Sequence, residues 1–290
     1  MTDTPQDTRP DAIYDTRTEG FGVVEKPLSL VERLWGSQIL RKAVLLVLMA
    51  VIWEVYARTL GNPLVFPTFT ETVKAFVDEL IAGPLLLRAG KSLQVLLMGY
   101  VVGLAIAGVL TSLAIATTPG RDLLELLTAL LTPLPAIALL PLALIWFGLG
   151  TGSYIFVLVH SVLWPVTLNT YAGFRAVSPT LRMVGATVGL SSAGMIARIL
   201  IPAAFPHILT GLKIGWAFAW RTLVAAELVF GVSSSGSAGL GWYIFENKNA
   251  LEIANVFAGL FMVTVIGLFV EGVIFRRIEL VTVRRWGMQT

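Results

Sequence analysis

The chain contains no cysteine among its 290 residues. That excludes disulfides, thiolate metal sites and a cysteine nucleophile. Charge is also scarce: 13% of residues are charged and 56% are hydrophobic, against about 25% and 45–50% in soluble domains. Such a composition points to an integral membrane protein. Histidine is limited to His160 and His207, which lie in different segments with no acidic partner at metal-ligand spacing. Both read as packed or interfacial residues, and no metal site is expected. Neither H-E-x-x-H nor the phosphate-binding G-x-x-x-x-G-K-[ST] occurs, so the residues for zinc hydrolysis or P-loop ATP binding are missing.

What is present is apolar run after apolar run. A membrane-spanning helix needs about 20 mostly apolar residues. Six candidates are found, over roughly 40–60, 92–116, 123–148, 153–174, 208–230 and 253–275. None alternates with period two, which argues against a β-barrel. An all-α polytopic protein of six transmembrane helices is predicted. The first 35 residues differ. "MTDTPQDTRPDAIYDTRTEGFGVVEKPLSL" is polar, acid-rich and aperiodic, and reads as a disordered tail. It has no apolar core behind a basic start, so it does not read as a secretory signal. The predicted organisation is a tail over 1–35 and a transmembrane domain over 36–290.

Six spans put both termini on one side. On that side fall Arg33, Arg41, Lys42, Arg121, Arg175, Arg182, Arg198, Arg276, Arg277, Arg284 and Arg285; on the other fall Arg58, Lys74, Arg88, Lys91 and Lys248. The excess predicts cytoplasmic termini. On the outer side, Val73, Phe76, Val77 and Leu80 recur at helical spacing after Pro67, which predicts a short amphipathic helix. "GVSSSGSAGLGWYIFENKNALE" begins as a turn and continues as a short aromatic segment. The third span carries Pro133, Pro135 and Pro141, each expected to kink or break it. A packing role for those breaks and a place on a pathway fit the residues equally well.

The inner loop, about 176–206, is richer than a linker needs. Ser178-Pro179 is a helix start. "TLRMVGATV" follows, and Gly189 is positioned to end it. "SAGMIARIL" is a second short helix, expected to break at Pro202 before the fifth span. Gly185, Ala186 and Gly189 would admit close approach of a partner backbone. Met183, Val184, Val188 and Leu190 form a small apolar face.

These residues resemble a family. Gly189, then Ile199 ten residues on, then Ile201-Pro202, is similar to the "EAA–G–I-LP" loop of ABC importer permeases. "NPLVFPTFTETVKAF", "LTPLPAIALLPLALIWFGLG", "AWRTLVAAELVFG" and "GLGWYIFENKN" resemble other stretches of that family. The likeness covers roughly residues 40–288 and is nearest to the nitrate/sulfonate/taurine branch. The resemblance implies the type I ABC importer transmembrane fold. The loop would be a coupling helix seated in a cytoplasmic ATPase, with Arg182, Met183, Val184, Gly185, Ala186, Gly189, Leu190 and Ser191 as its contact residues. It also implies a homodimer, two ATPase subunits carrying ATP and magnesium, and an extracytoplasmic binding protein. No cofactor is expected in this chain, and no nucleic-acid partner. One departure stands out: the family's glutamate falls on Met183, and its alanines on Val184 and Gly185. Docking here would rest on shape and apolar contact more than on charge.

Charge within the hydrocarbon core costs about 2.5–3.5 kcal/mol on insertion scales, so each such residue needs a reason. Arg221 falls near the middle of span five. It reads either as a counter-charge for an anionic solute or as one half of a structural ion pair. Its neighbour Trp220, and Pro135 in the broken span, join it as pathway candidates. Glu227, about 240° further round the helix, either closes an outer gate or holds the following loop. Glu54 and Arg58, four apart with the acid first, form a favourable helical pair. Lys213 and Glu271 can snorkel to the inner interface. Ser153, Ser161 and Asn169 are expected to bond helix backbones or neighbouring helices.

A stand-alone secondary transporter would predict inverted repeats and midplane carboxylates, and no clear repeat is visible. An intramembrane enzyme lacks its motif. The expected function is a membrane permease subunit for a small anion of the sulfonate, taurine or nitrate type. A neutral aromatic, pyrimidine-type precursor is the alternative cargo.

Overall fold

The computed structural model describes residues 36–230 and 238–285. The predicted tail over 1–35 and the Gly/Ser turn over 231–237 lie outside the described residues. Every regular element among those described is helical.

The first span is α1 (Gln38–Leu60). Its second half is tied to the segment after it. The Trp53 indole donates to the Pro67 carbonyl at 2.9 Å, and its ring meets Phe66, Phe69 and Phe257. Arg58 binds Glu54 at 2.6 Å, as the spacing predicts. Glu54 also accepts the Thr70 amide at 3.0 Å, so it helps begin the next helix, α2 (Phe69–Ile81). That start is a capping box, in which Thr68 accepts from Glu71 and the Glu71 side chain returns to the Thr68 amide. The predicted outer amphipathic helix is thus present, with Phe76 set edge-on against Phe261 at 4.9 Å.

The second span, α3 (Leu85–Ala116), begins two turns before the predicted boundary. The fourth, α6 (Thr151–Ala176), lies against it through two glycines. A Cβ on Gly99 would stand 2.6 Å from Leu158 Cβ, and one on Gly103 2.8 Å from Val162 Cβ. Small residues let transmembrane backbones approach in this way. Residue numbers rise together along this contact, so α3 and α6 run parallel.

That direction determines the third span. Two adjacent parallel helices require residues 117–150 to cross back between them. The crossing is made by α4 (Thr118–Leu131), a 3₁₀ turn (Ala136–Leu139) and α5 (Leu140–Phe147), bent by 87° at the break. The span over 123–148 is thus broken, as its prolines lead one to expect. Pro133 and Pro135 sit in the break. Pro141 breaks nothing, because it occupies the first turn of α5, where a missing N–H costs no bond. With five continuous spans, the bent pair makes six crossings.

The fifth span, α8 (Ile201–Phe230), packs antiparallel on α6. Gly211 and Gly215 lie against Pro165, Val166 and Val162, while Gly173 of α6 lies against His207. The expected break at Pro202 does not occur. Helix runs from Ser192–Met195 through a wide π turn (Ile196–Leu200) into α8. The looser ladder of a π turn leaves room for a pyrrolidine ring that would clash in a regular α-turn. After α9 (Leu240–Asn249) comes α10 (Ile253–Phe269), extended through Val270–Phe275, Arg276–Glu279 and Leu280–Arg284. The sixth helix is thus longer than predicted. Lys213, expected to reach for the inner interface, meets Glu279 of this extension at 2.6 Å.

Candidate functional site

Three places hold the residues singled out above, all within residues 51–285. The first is the loop between α6 and α8. Ser178 Oγ accepts the Leu181 amide at 3.4 Å and opens α7 (Pro179–Thr187). At its end, the Gly189 amide donates to the Ala186 carbonyl and the Leu190 amide to the Gly185 carbonyl, each at 3.0 Å. These two bonds form a Schellman motif. Gly189 has φ +72° and open space where a Cβ would stand. Glycine is needed there for its left-handed backbone, and none of the described residues of this chain comes close to it. Ser191 then starts the second helix, its hydroxyl accepting the Gly194 amide at 3.2 Å.

Gly185 has a different use from the one predicted. It is buried, and a Cβ there would stand 2.6 Å from both Met195 Cε and Ile199 Cδ1. The close approach it permits is between the two helices of its own loop. Met183, Val184 and Val188 are 60%, 52% and 72% exposed, with Leu181 beside them. Leu190 is half-buried and leaves that face, while Ala186 remains on the surface. The Arg182 side chain turns back, its Nη2 donating to the Phe174 carbonyl at 2.6 Å, so it straps α7 to the end of α6.

The second place is a cavity of about 480 Å³ between the break of the third span, α6 and α8. Pro135 lines it at the break, and Arg221 lines it from α8. Arg221 is exposed and has no hydrogen bond or ion pair among the described residues. The structural-pair reading therefore finds no carboxylate partner there. His160, Trp164, Phe218 and Asn169 add aromatic and amide walls. Ser161 and Thr222, 3.1 Å apart, bridge α6 and α8 at the same wall. Asn169 also bonds the Pro165 carbonyl at 2.8 Å and Ser153 the Ala143 carbonyl at 3.1 Å, as expected of polar residues in spans. Trp220 faces away from this cavity. It is buried, and its indole donates to the Val263 carbonyl at 3.2 Å. With Arg221 it borders a second cavity of about 420 Å³ toward α10.

The third place lies at the other end of α8. Glu227 is 3% exposed and lines neither cavity. Its Oε2 accepts the Gly241 amide at 2.8 Å. Ser92 of α3 stands 2.9 Å from both carboxylate oxygens and itself accepts the Leu240 amide at 2.8 Å. These are the first amides of α9, whose cap, Gly239, has no side chain to offer. Glu227 and Ser92 cap that helix from two other helices. Arg88, one turn before Ser92, adds a bond to the Ala238 carbonyl at 3.1 Å and a 3.5 Å contact with Glu246. Of the two roles open to Glu227, the structure displays its hold on the following loop. Ser92 and Arg88 were missed: a serine and an arginine four apart near a span's start carry no periodic signal, and their partners lie far along the chain.

Comparison with known proteins places this architecture. Residues 99–278 match the family described as "Binding-protein-dependent transport system inner membrane component". A chain of Methanocaldococcus jannaschii, provisionally named an ABC transporter permease protein, is 31% identical over 239 residues, 81% of this chain and 88% of that one. The taurine transport system permease protein of Escherichia coli is 30% identical over 235 residues, 78% of this chain and 82% of its own length. The nitrate import permease protein of a Synechocystis strain is 28% identical over 257 residues, covering 85% and 90%. The chain belongs to the binding-protein-dependent inner-membrane permease family, and is a multi-pass, non-enzymatic, pore-forming subunit of an ABC importer with the type I transmembrane fold.

Proposed function

We propose that this permease forms half of a homodimeric pathway for a small anion, of the kind named for its taurine and nitrate relatives. One observation carries the reading. Arg221 presents a guanidinium with no ion-pair partner among the described residues to a cavity at membrane depth, beside the break of a proline-broken span. A charge at that depth without a protein partner has its reason in what passes it. A guanidinium matches the planar nitrate or the sulfonate oxygens in bidentate fashion.

The energy comes from two ATPase subunits, which hold the ATP and magnesium; this chain holds no cofactor. The ATPases engage the exposed face of Met183, Val184 and Val188, and a soluble binding protein delivers solute on the opposite side. Both termini are cytoplasmic, in keeping with the excess of arginine and lysine on the loop side. Closure of the ATPases moves the α7 loops and switches the cavity between inward and outward access.

The test uses the complete transporter, permease with ATPase and binding protein, in liposomes. Arg221→Gln is expected to cut anion uptake at least tenfold while the complex assembles and its basal ATP hydrolysis stays intact. Unchanged uptake of taurine and nitrate would sink the anion reading. A second reading, a neutral planar solute, is favoured by the aromatic walls of His160, Trp164 and Phe218. It calls for uptake of an uncharged pyrimidine that survives Arg221→Gln and falls with Trp164→Ala.

A further inference from the structure

At the loop-side end of the bundle, a small open cavity of about 140 Å³ is lined by the ends of α3 and α6, the first turn of α4, and α7. Three arginines line it, one from each of three elements: Arg121 from α4, Arg175 from the last turn of α6, and Arg182 from α7. No aspartate or glutamate lines it. None of the three arginines has an ion-pair partner among the described residues. Asp122 and Glu125, the acids nearest in sequence on α4, lie off its wall.

Two of the guanidinium groups are held in place. Arg175 lies over the Tyr171 ring at 5.9 Å, and Arg182 donates one N–H to the Phe174 carbonyl at 2.6 Å. Each keeps further donors, since a guanidinium has five. Three like charges around one cavity repel one another, and no acid among the described residues lines it to offset them. The space is well below the roughly 300 Å³ at which pockets for drug-sized ligands begin, but it suits a single tetrahedral anion.

We infer that this cavity binds a phosphate group, and that the phosphate is the headgroup of an anionic phospholipid bridging the α7 loop to the membrane helices. Two observations favour lipid over a soluble phosphate. The cavity lies where two spans end, at headgroup depth, where basic pockets between helices recruit anionic lipid. Beside it, Leu123, Leu126 and Leu130 of α4 recur on one helix face, 40%, 58% and 61% exposed, a surface for acyl chains. Because Arg182 belongs to α7, the bound headgroup steadies the element on which coupling depends. The cytoplasmic placement of this lipid rests on the orientation proposed above.

The experiment is native mass spectrometry of the purified full-length permease from mixed phosphatidylglycerol and phosphatidylcholine nanodiscs. Arg121→Gln and Arg175→Gln are exposed changes, and Arg182 is left alone because it also holds the Phe174 carbonyl. Retained phosphatidylglycerol is expected to fall about fivefold for each change and about 25-fold for the pair, with Arg121→Lys and Arg175→Lys in between. Equal retention by wild type and the Gln pair would overturn the site. Displacement of the lipid by millimolar inorganic phosphate would support the phosphate site and assign it to a soluble ligand. Loss of ATPase subunit binding by the Gln pair, with phosphatidylglycerol retention unchanged, would overturn it in favour of an acidic partner side chain. Sidedness is read separately. A single cysteine at Thr118, in a chain otherwise free of cysteine, is labelled by an impermeant maleimide in inverted vesicles only if the orientation holds. A retained lipid with labelling from the outside would move the site to the other leaflet and overturn the orientation alone.

Discussion

Ser92 of α3 and Glu227 of α8 meet inside the protein, the serine hydroxyl 2.9 Å from each carboxylate oxygen, and together they accept the first two amides of α9. A carboxylate in such a place satisfies helix donors that the glycine cap cannot. The same contact explains two glycines. A Cβ on Gly239 would collide with Glu227 and Ser92, and one on Gly241 would stand 2.5 Å from the Val224 carbonyl.

Removing the carboxylate should therefore release α9. Glu227→Ala leaves the Gly241 amide buried without its acceptor, at a cost of about 1–3 kcal/mol. We expect faster hydrogen exchange across residues 238–250, together with a lower Tm in detergent. Ser92→Ala should do the same more weakly. Exchange unchanged in both variants would refute the capping role.

The parallel packing of α3 and α6 offers a compensating pair. Gly99→Ala forces a methyl against Leu158 and is expected to destabilise by about 1–3 kcal/mol, as overpacked sites do. Leu158→Gly combined with it should recover part of the loss, because it removes the Cβ nearest the new methyl, whereas Leu158→Gly alone leaves a cavity and destabilises. A double-mutant cycle on thermal stability reads the coupling. Strict additivity would mean that the two residues do not touch.

On the inner loop, Gly189 and Gly185 should fail differently. Gly189→Ile places a β-branched residue at φ +72°, a conformation costing a non-glycine residue about 1–2 kcal/mol, and Gly189→Asn should be tolerated better. Gly185→Leu instead pushes Met195 and Ile199 away and separates the loop's two helices. Both are expected to lower ATPase co-purification while membrane insertion is unchanged. Normal co-purification and transport by Gly189→Ile would end the docking role of that turn.

The exposed face predicts a third outcome for the loop. Met183→Ser with Val184→Ser removes little internal contact of the permease, because both residues are more than half exposed. ATPase association should weaken at least tenfold in a titration of the purified subunits, with the permease's own Tm within a degree or two. A large fall in Tm would mean that the face is internal support.

Lys213 and Glu279 tie α8 to the final helical segment at 2.6 Å, with both side chains partly exposed. Glu279→Gln is expected to cost no more than about 1 kcal/mol, and Lys213→Glu with Glu279→Lys should recover it. Thermal stability at low and high salt is the check, since a partly exposed pair is screened by ions.

Much of this was legible before the structure. Each span announces itself by the length of an apolar run, and the Thr68–Glu71 and Ser178-Pro179 helix starts are local chemistry. Glu54–Arg58 is readable because its partners are one helical turn apart. Pro202 misled, because a proline's effect depends on the ladder around it, and the π turn over Ile196–Leu200 has no simple sequence mark. Gly185 misled as well: small size shows that something approaches, not what. The Lys213–Glu279 pair left no mark in the sequence, because its members lie 66 residues apart on different helices.

The sequence by itself determined that this protein crosses a membrane by helices, roughly where, and on which side of the spans arginine and lysine gather. Those are sums over neighbouring residues, and the transfer of apolar side chains and the satisfaction of backbone bonds within a helix are local terms. Tertiary structure alone decided that α3 and α6 run parallel, that the break in the third span turns it by 87°, that Arg221 has no ion-pair partner among the described residues while Glu227 is fully engaged, and that three arginines from three elements share one small cavity. Each depends on which helix faces point at one another, and that is a property of packing between segments distant in the chain.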